Sequence, residues 1–275
     1  MSDLVNKIIS ATNAEERTAS ATDLKELVED KGCGLISKSQ ILATIKTHLS
    51  NQKQPSAREG ALVAITSLAH LKALEPHLMP LLSVVLERLS DKVRSVQLAA
   101  APAYKALVEL CNSNAIQVIL PSIYENMVYS KKWQTKAGAL DLLSILIKSR
   151  PTLLAKHVPD MIPLVSECMW DTKDEIKKIA RATMADVCSL ISNKDIEEFI
   201  PALIDCIAHP EKVPDTIHLL GATTFVSAVE SPTLAIMVPL LSRAMTERRN
   251  TAILRKTALI IDNMCKLVDK PEIAW

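Results

Sequence analysis

Aromatic side chains are scarce: three Trp, three Tyr and two Phe in 275 residues. A core without rings must be built from Leu, Ile, Val, Ala and Met, which favours helical layers over a β-sandwich. Glycine is almost as rare, with five copies, and none is placed with Lys–Ser/Thr as a phosphate-binding loop requires. The net charge is +1, so no global field draws in nucleic acid, and any electrostatic site has to be local. No apolar run reaches the length of about 20 residues that spans a bilayer. The polar, acidic N-terminus does not read as a secretion signal. Cys33, Cys111, Cys168, Cys188, Cys206 and Cys265 contain no C-x-x-C pair. Five lie in apolar helical runs, where cysteine behaves as a small hydrophobe, so the expectation is reduced thiols and a cytoplasmic location. No two of the six histidines have i, i+4 metal spacing, and Cys206 with His209 lacks a second ligand pair, so no metal is expected. No serine or cysteine sits on a nucleophile elbow. No catalytic residue is assigned, and the chain is read as not an enzyme.

What the chain does have is a repeat. From Met161 to Leu190, apolar residues recur at helical spacing on either side of a polar break, Asp171–Thr172–Lys173–Asp174. That is a helical hairpin, too short to bury its own apolar face. Prolines mark the first helix of successive copies: Pro80, Pro121, Pro163, Pro201 and Pro239, in steps of 41, 42, 38 and 38 residues. A two-helix unit with a period of ~40 residues is the signature of HEAT and armadillo solenoids. Proline costs little in the first turn of a helix and kinks it further in, and the spacing alone leaves both cases open. In the second helices a basic residue often precedes a small one, as in Arg58–Ala61, Lys136–Ala139, Lys178–Ala182 and Arg255–Ala258. The basic head is expected to stay solvated while its stem lies along the helix.

The fold class predicted is all-α, a right-handed α-solenoid of about seven HEAT-type hairpins. It forms a single domain over 1–275, in units of 1–34, 35–73, 74–112, 113–150, 151–192, 193–230 and 231–275. The first unit, 3–31, has Glu15–Asp30 as its expected second helix, and the pairs expected after it are Lys38–Leu49 with Ser56–Leu71, and Pro76–Leu89 with Val93–Leu110. Ala115–Val128 pairs with Trp133–Ile147, Ile196–Ala208 with Thr216–Val229, and Thr233–Thr246 with Ile253–Val268. Asp91 and Asp171 or Thr172 are candidate caps. The polar first unit suits a terminal repeat, whereas DKPEIAW after Val268 looks like a link to a further unit, so the solenoid is expected to continue.

Positive charge gathers near the turns. Lys131, Lys132 and Lys136 flank Trp133 with no acid between them. Lys173, Lys177, Lys178 and Arg181 follow the next turn, and Arg243, Arg248, Arg249, Arg255 and Lys256 cluster in the last unit. If solenoid turns stack along one edge, that edge offers Lys and Arg beside helix N-termini, a setting for phosphate oxygens. The alternative is a solvated rim of ordinary ion pairs. Trp133 and Trp170 bracket such turns, for packing between units or for stacking on bases.

Six segments carry a more specific signal: KKWQTKAGAL (131–140), ECMWDTK (167–173), KDIEEFIPALIDCIAHP (194–210), HLLGATTFV (218–226), MVPLLSRAM (237–245) and IIDNMCKLV (260–268). They closely resemble the N-terminal HEAT region of fungal-type translation elongation factor three, densely from 119 to 271 and collinearly before that. The resemblance implies a ribosome-docking arm that touches small-subunit proteins and rRNA and approaches the large-subunit central protuberance. In that family ABC ATPase domains use ATP and magnesium to help release E-site tRNA. Those domains lie outside this stretch, so no cofactor and no small-molecule substrate is expected for these residues. The chain is expected to act as a monomer, away from membranes. The competing expectation is a stand-alone protein–protein adaptor using a solenoid face.

Overall fold

Prolines punctuate the first helices, and the structure decides what they do there. The computed structural model describes residues 2–11, 13–32, 34, 40–128, 130–246 and 250–268. Among these, the longer helices pair into seven hairpins. They are α1 (Ser2–Ser10) with α2 (Ala14–Lys31), α3 (Ile41–Leu49) with α4 (Pro55–Leu68), and α5 (Leu82–Arg88) with α6 (Arg94–Leu110). Next come α7 (Ile116–Glu125) with α8 (Trp133–Ser149), and α9 (Val158–Met169) with α10 (Asp174–Cys188). The last are α11 (Ile200–Ala208) with α12 (Val213–Leu220), and α13 (Ser231–Met245) with α14 (Thr251–Lys266). Pro121, Pro163 and Pro239 lie inside α7, α9 and α13, Pro201 falls in the first turn of α11, and Pro80 lies in the 3-10 turn Met79–Leu81 before α5. All five are exposed, and at Pro121, Pro163 and Pro239, inside their helices, water can take up the carbonyl that the proline leaves unbonded.

The hairpins cohere through aliphatic stripes. In the fifth, α9 buries Val158, Met161, Ile162, Val165 and Met169, and α10 answers with Ile176, Ala180, Met184 and Val187. Each of these side chains other than Ala180 contributes about 1.5–3 kcal/mol relative to exposure. Asp174 and Glu175 in the first turn of α10 suit the positive end of its dipole.

The contacts divide the chain into two compact units, Met1–Leu142 and Leu143–Trp275, with the boundary inside α8. In the first unit α4 packs against α1, α2, α3 and α6, and α5 against α6 and α7. Gly60 of α4 allows the close approach to α1, since a Cβ there would stand 2.9 Å from the Ile8 carbonyl oxygen. In the second unit α9 packs on α10, α12 packs on α14, and α13 packs on α14. Helix α11 has only nine residues, and α9 also reaches α13 directly.

Four expectations need correction. The second helix of the sixth hairpin stops at Leu220, not Val229. Gly221, Thr223, Thr224 and Val226 are poor helix formers, and Asn193 and Asp195, at the start of the short helix Lys194–Glu197 that precedes α11, capture the freed backbone. Asp195 accepts from Val226 N at 2.8 Å, Ser227 N at 2.7 Å and Ser227 Oγ at 3.0 Å. Asn193 Nδ2 donates to the Ala228 carbonyl at 3.1 Å, and Val229 bridges to Val268. Second, Asp91 and Asp171 do not occupy the N-cap positions, which are Val93 and Lys173; each aspartate instead accepts that residue's own N–H, at 3.0 and 2.9 Å. Third, Arg58 and Lys136 are buried, at 5% exposure each, rather than solvated. Fourth, Cys265 is exposed, unlike Cys111, Cys168, Cys188 and Cys206. Cys33, Lys38 and the stretch after Val268, Trp275 included, lie outside the described residues.

Candidate nucleic-acid interface

The turns inside the hairpins carry the basic residues, and within the first unit three of them come together. The turn of the second hairpin is shaped by Asn51, whose Oδ1 accepts from Lys53 N at 2.9 Å. The turn of the third is shaped by Asp91. Arg58, on α4, ties the two: Nη1 donates to the Asn51 carbonyl at 2.7 Å, while Nε and Nη2 donate to the Asp91 carboxylate at 2.7 and 2.8 Å. Burial alone would raise the Asp91 carboxyl. The Arg58 bonds, the Val93 N–H and the Arg58 and Arg88 charges outweigh it and hold Asp91 below the usual carboxylate range.

Beside this tie runs a groove of about 540 Å³ that also takes in the fourth turn. Its basic lining is Arg58, Arg88, Lys92, Lys131 and Lys132, against Glu87 and Asp91. Asp91 is engaged by Arg58. Lys131 pairs with Glu87 at 2.6 Å. What remains is a cationic surplus on Arg88, Lys92 and Lys132. Lys132 Nζ donates to the Ser90 carbonyl at 3.2 Å, an arrangement that leaves its charge uncompensated. Lys92 is exposed and meets no acid among the described residues. Arg88 lies 3.7 Å from Asp91 and 3.8 Å from Glu87, and its buried Nε has no partner.

The second unit holds a comparable groove of about 440 Å³ at the turns of the fifth and sixth hairpins. Trp170, Lys177, Lys178, Arg181 and His209 line it with Asp171. Lys177 is paired with Asp174 at 2.9 Å, and Arg181 Nη2 donates to His209 Nε2 at 2.7 Å. That bond needs the His209 ring to accept at Nε2 and carry its proton on Nδ1, which lies 3.3 Å from Glu211. Lys178 is exposed and meets no acid among the described residues.

The expected basic residues thus sort into several groups. Lys131 and Lys132 share one groove, and Lys177, Lys178 and Arg181 the other. Trp133, first residue of α8, and Trp170, at the end of α9, are 41% and 55% exposed, so neither is packed away. Lys173 is exposed just before α10. Lys136 is removed from the set, because it lies on the same α8 face as the core residues Ala139, Leu140 and Leu143. Arg243 stands at an apolar cleft instead. Arg255 is exposed on α14, and Lys256 Nζ donates to His218 Nδ1 at 2.7 Å. Arg248 and Arg249 lie outside the described residues. Arg88 and Lys92 were missed from sequence because Glu87 and Asp91 cancel them in a charge count. The signal was present in Asp91, a turn aspartate one hairpin on from a basic residue that could engage it.

Cys206 and His209 do not converge: Cys206 Sγ meets Thr216 Oγ1 at 3.0 Å while His209 faces Arg181. Burial raises the Cys206 thiol and pushes Cys188 up to about 12. No helix among the described residues is long and apolar enough to cross a membrane.

Residues 17–184 match the family model described as EF3 N-terminal HEAT repeat, and residues 211–275 match Elongation factor 3/GNC1 HEAT repeat. The chain is 51% identical to elongation factor 3 of Gonapodya prolifera, over 99% of this chain and 25% of that protein. It is 43% identical to elongation factor 3 of Phytophthora infestans, over 94% of this chain and 25% of the relative. It therefore spans a quarter of the length of these relatives. Among solved structures, the karyopherin Kap121p bound to Pho4p is similar with a TM-score of 0.48 and 13% identity, over 96% of this chain and 28% of that one. With its paired helices, its period and the two family-model matches, the chain belongs to the family of elongation factor 3 N-terminal HEAT repeats.

Proposed function

We propose that these hairpins form a ribosome-docking arm of an elongation factor 3-like protein, working in the cytoplasm as a monomer. The observation that carries this reading is the cationic surplus at Arg88, Lys92 and Lys132 in a groove built by three successive turns. A groove of this charge suits the phosphates of rRNA, with small-subunit proteins or the central protuberance as adjoining contacts. The groove in the second unit adds an exposed Trp170 beside Lys178 and Arg181, a pairing that suits an unstacked base and its phosphate. In this reading the relatives' ATP- and magnesium-dependent work belongs to ABC domains outside these residues, and this stretch supplies contact rather than catalysis.

Co-sedimentation of the chain with ribosomes across a salt series tests the reading. Affinity should fall linearly with log salt, and the pair Lys92→Glu and Lys132→Glu should flatten the slope by about one per lysine. Lys105→Glu, on the exposed side of α6, should leave it unchanged. A double variant that keeps its helical signal and sediments as before would remove the groove from the interface.

A further inference from the structure

Because α11 is short, a cleft of about 170 Å³ opens between α9, α11 and α13. Its wall is aliphatic: Ile162, Leu203, Ile207, Ile236 and Leu240. The polar atoms in that wall are already engaged. Ser166 Oγ donates to the Ile162 carbonyl at 2.7 Å, and Cys206 Sγ is bonded to Thr216 at 3.0 Å. Two side chains of a different kind stand at the mouth. Trp170 is 55% exposed, and Arg243 is exposed with no acidic partner among the described residues. Val238 and Met245 on the same helix α13 are also exposed, at 49% and 45%.

We propose that this cleft receives a protein segment that presents one apolar side chain next to a carboxylate. An apolar cavity of about 150 Å³ holds a benzene ring, so the volume here fits a single leucine- or phenylalanine-sized group. The carboxylate follows from charge complementarity with Arg243, whose planar fork can grip it with two hydrogen bonds. Trp and Arg at the rim of an apolar pocket are the residue types that dominate protein–protein binding energy. A nucleobase fits poorly, because the wall offers no unengaged donor or acceptor to its polar edge. A phosphodiester alone would satisfy Arg243 but leave the cavity empty. The site shares Trp170 with the basic groove of the second unit, but its aliphatic wall and Arg243 lie outside that groove, and the proposal does not rest on the ribosomal reading.

The test uses the full chain and an eight-residue fluorescent peptide of alternating Leu and Glu. Its controls are a Leu–Lys analogue and a ten-residue uridine oligonucleotide. Anisotropy should show the Leu–Glu peptide binding, with Trp170→Ala and Arg243→Glu each weakening it by about three- to tenfold. Arg243→Glu should in turn gain affinity for the Leu–Lys peptide, a reversal that general loss of structure could not produce. Oligonucleotide binding should be unaffected by Arg243→Glu. Absence of peptide binding, binding indifferent to both variants, or no reversal with the Leu–Lys peptide would overturn the proposal. Competition between oligonucleotide and peptide that is lost in Arg243→Glu would assign the cleft to RNA instead.

Discussion

Arg58 of α4 grips Asp91, in the turn of the following hairpin, with two parallel hydrogen bonds of 2.7 and 2.8 Å. Both side chains are nearly closed to solvent, at 6% and 5%. Removing Arg58 leaves the buried Asp91 carboxylate with only Arg88, 3.7 Å away, as a counter-charge, and removing Asp91 leaves the Arg58 guanidinium with only the Asn51 carbonyl. Arg58→Ala should therefore cost about 3–5 kcal/mol. Arg58→Lys should recover only part of that, because an ammonium cannot make both carboxylate bonds and still reach the Asn51 carbonyl. Urea titrations of the two variants, followed by circular dichroism, check the order.

The same pair sets an acid limit. Asp91 titrates lower in the folded chain than its ordinary 3.8. A depressed carboxyl stabilises the fold fully above the unfolded value and loses that contribution as pH falls through the folded one. The stability gap between the wild type and Asp91→Asn should thus stay constant above about pH 5 and close progressively below about pH 4. A gap that held constant down to pH 2 would contradict the assignment.

Gly60→Ala should destabilise although alanine is the better helix former by about 1 kcal/mol. The added methyl would meet backbone, at 2.9 Å from Ile8 O and 3.0 Å from Ile9 Cα, so α1 as a whole must retreat. A net loss of about 1–3 kcal/mol is expected. Gly138→Ala offers the contrast, because the atom in the way is the end of the Leu89 side chain, which can rotate. Thermal melts of the two variants should separate, with Gly60→Ala the lower.

Asp195 pins the extended stretch after α12 through two amides and a hydroxyl. Burial raises its carboxyl, but the three donors together outweigh it and hold it below the usual range. Asp195→Ala should release Val226 and Ser227, so their amides should exchange with solvent faster by roughly tenfold or more, while those in α9 and α10 keep their protection. Hydrogen exchange with peptide-level resolution distinguishes local release from global loss.

How much of this was readable beforehand follows from the reach of each signal. Helical spacing located the helices because it is a property of one local segment, and the proline period grouped them because the same local mark recurs from copy to copy. The end of α12 was not readable. Apolar spacing continues through Phe225 and Val229 and masks the poor helix formers from Gly221 on, while the group that holds the stretch extended is Asp195, some 30 residues earlier in the chain. Lys136 was misassigned for a related reason: a lysine beside two others reads as surface until its turn of α8 is placed against the core. The basic groove was half legible. Lys131 and Lys132 stood out, while Arg88 and Lys92 emerged only once Arg58 was seen to occupy Asp91.

Within that groove Glu87 supplies a prediction of opposite sign. It faces Lys131 at 2.6 Å, and with Asp91 already engaged by Arg58 it is the remaining negative charge on the lining. If phosphate binds here, Glu87 opposes it twice, by repelling the anion and by holding a lysine that could otherwise contact it. Glu87→Gln keeps the shape and removes both effects. Affinity for a single-stranded RNA oligonucleotide should rise roughly two- to fivefold at low salt, and the dependence on log salt should steepen as Lys131 joins the contact. Adding Lys131→Ala to Glu87→Gln should return the slope to that of the wild type. A rim of ordinary ion pairs predicts otherwise: breaking the pair would leave RNA affinity unchanged and cost only a few tenths of a kcal/mol in stability. Anisotropy over a salt series reads the slope directly, so the two accounts separate in one measurement.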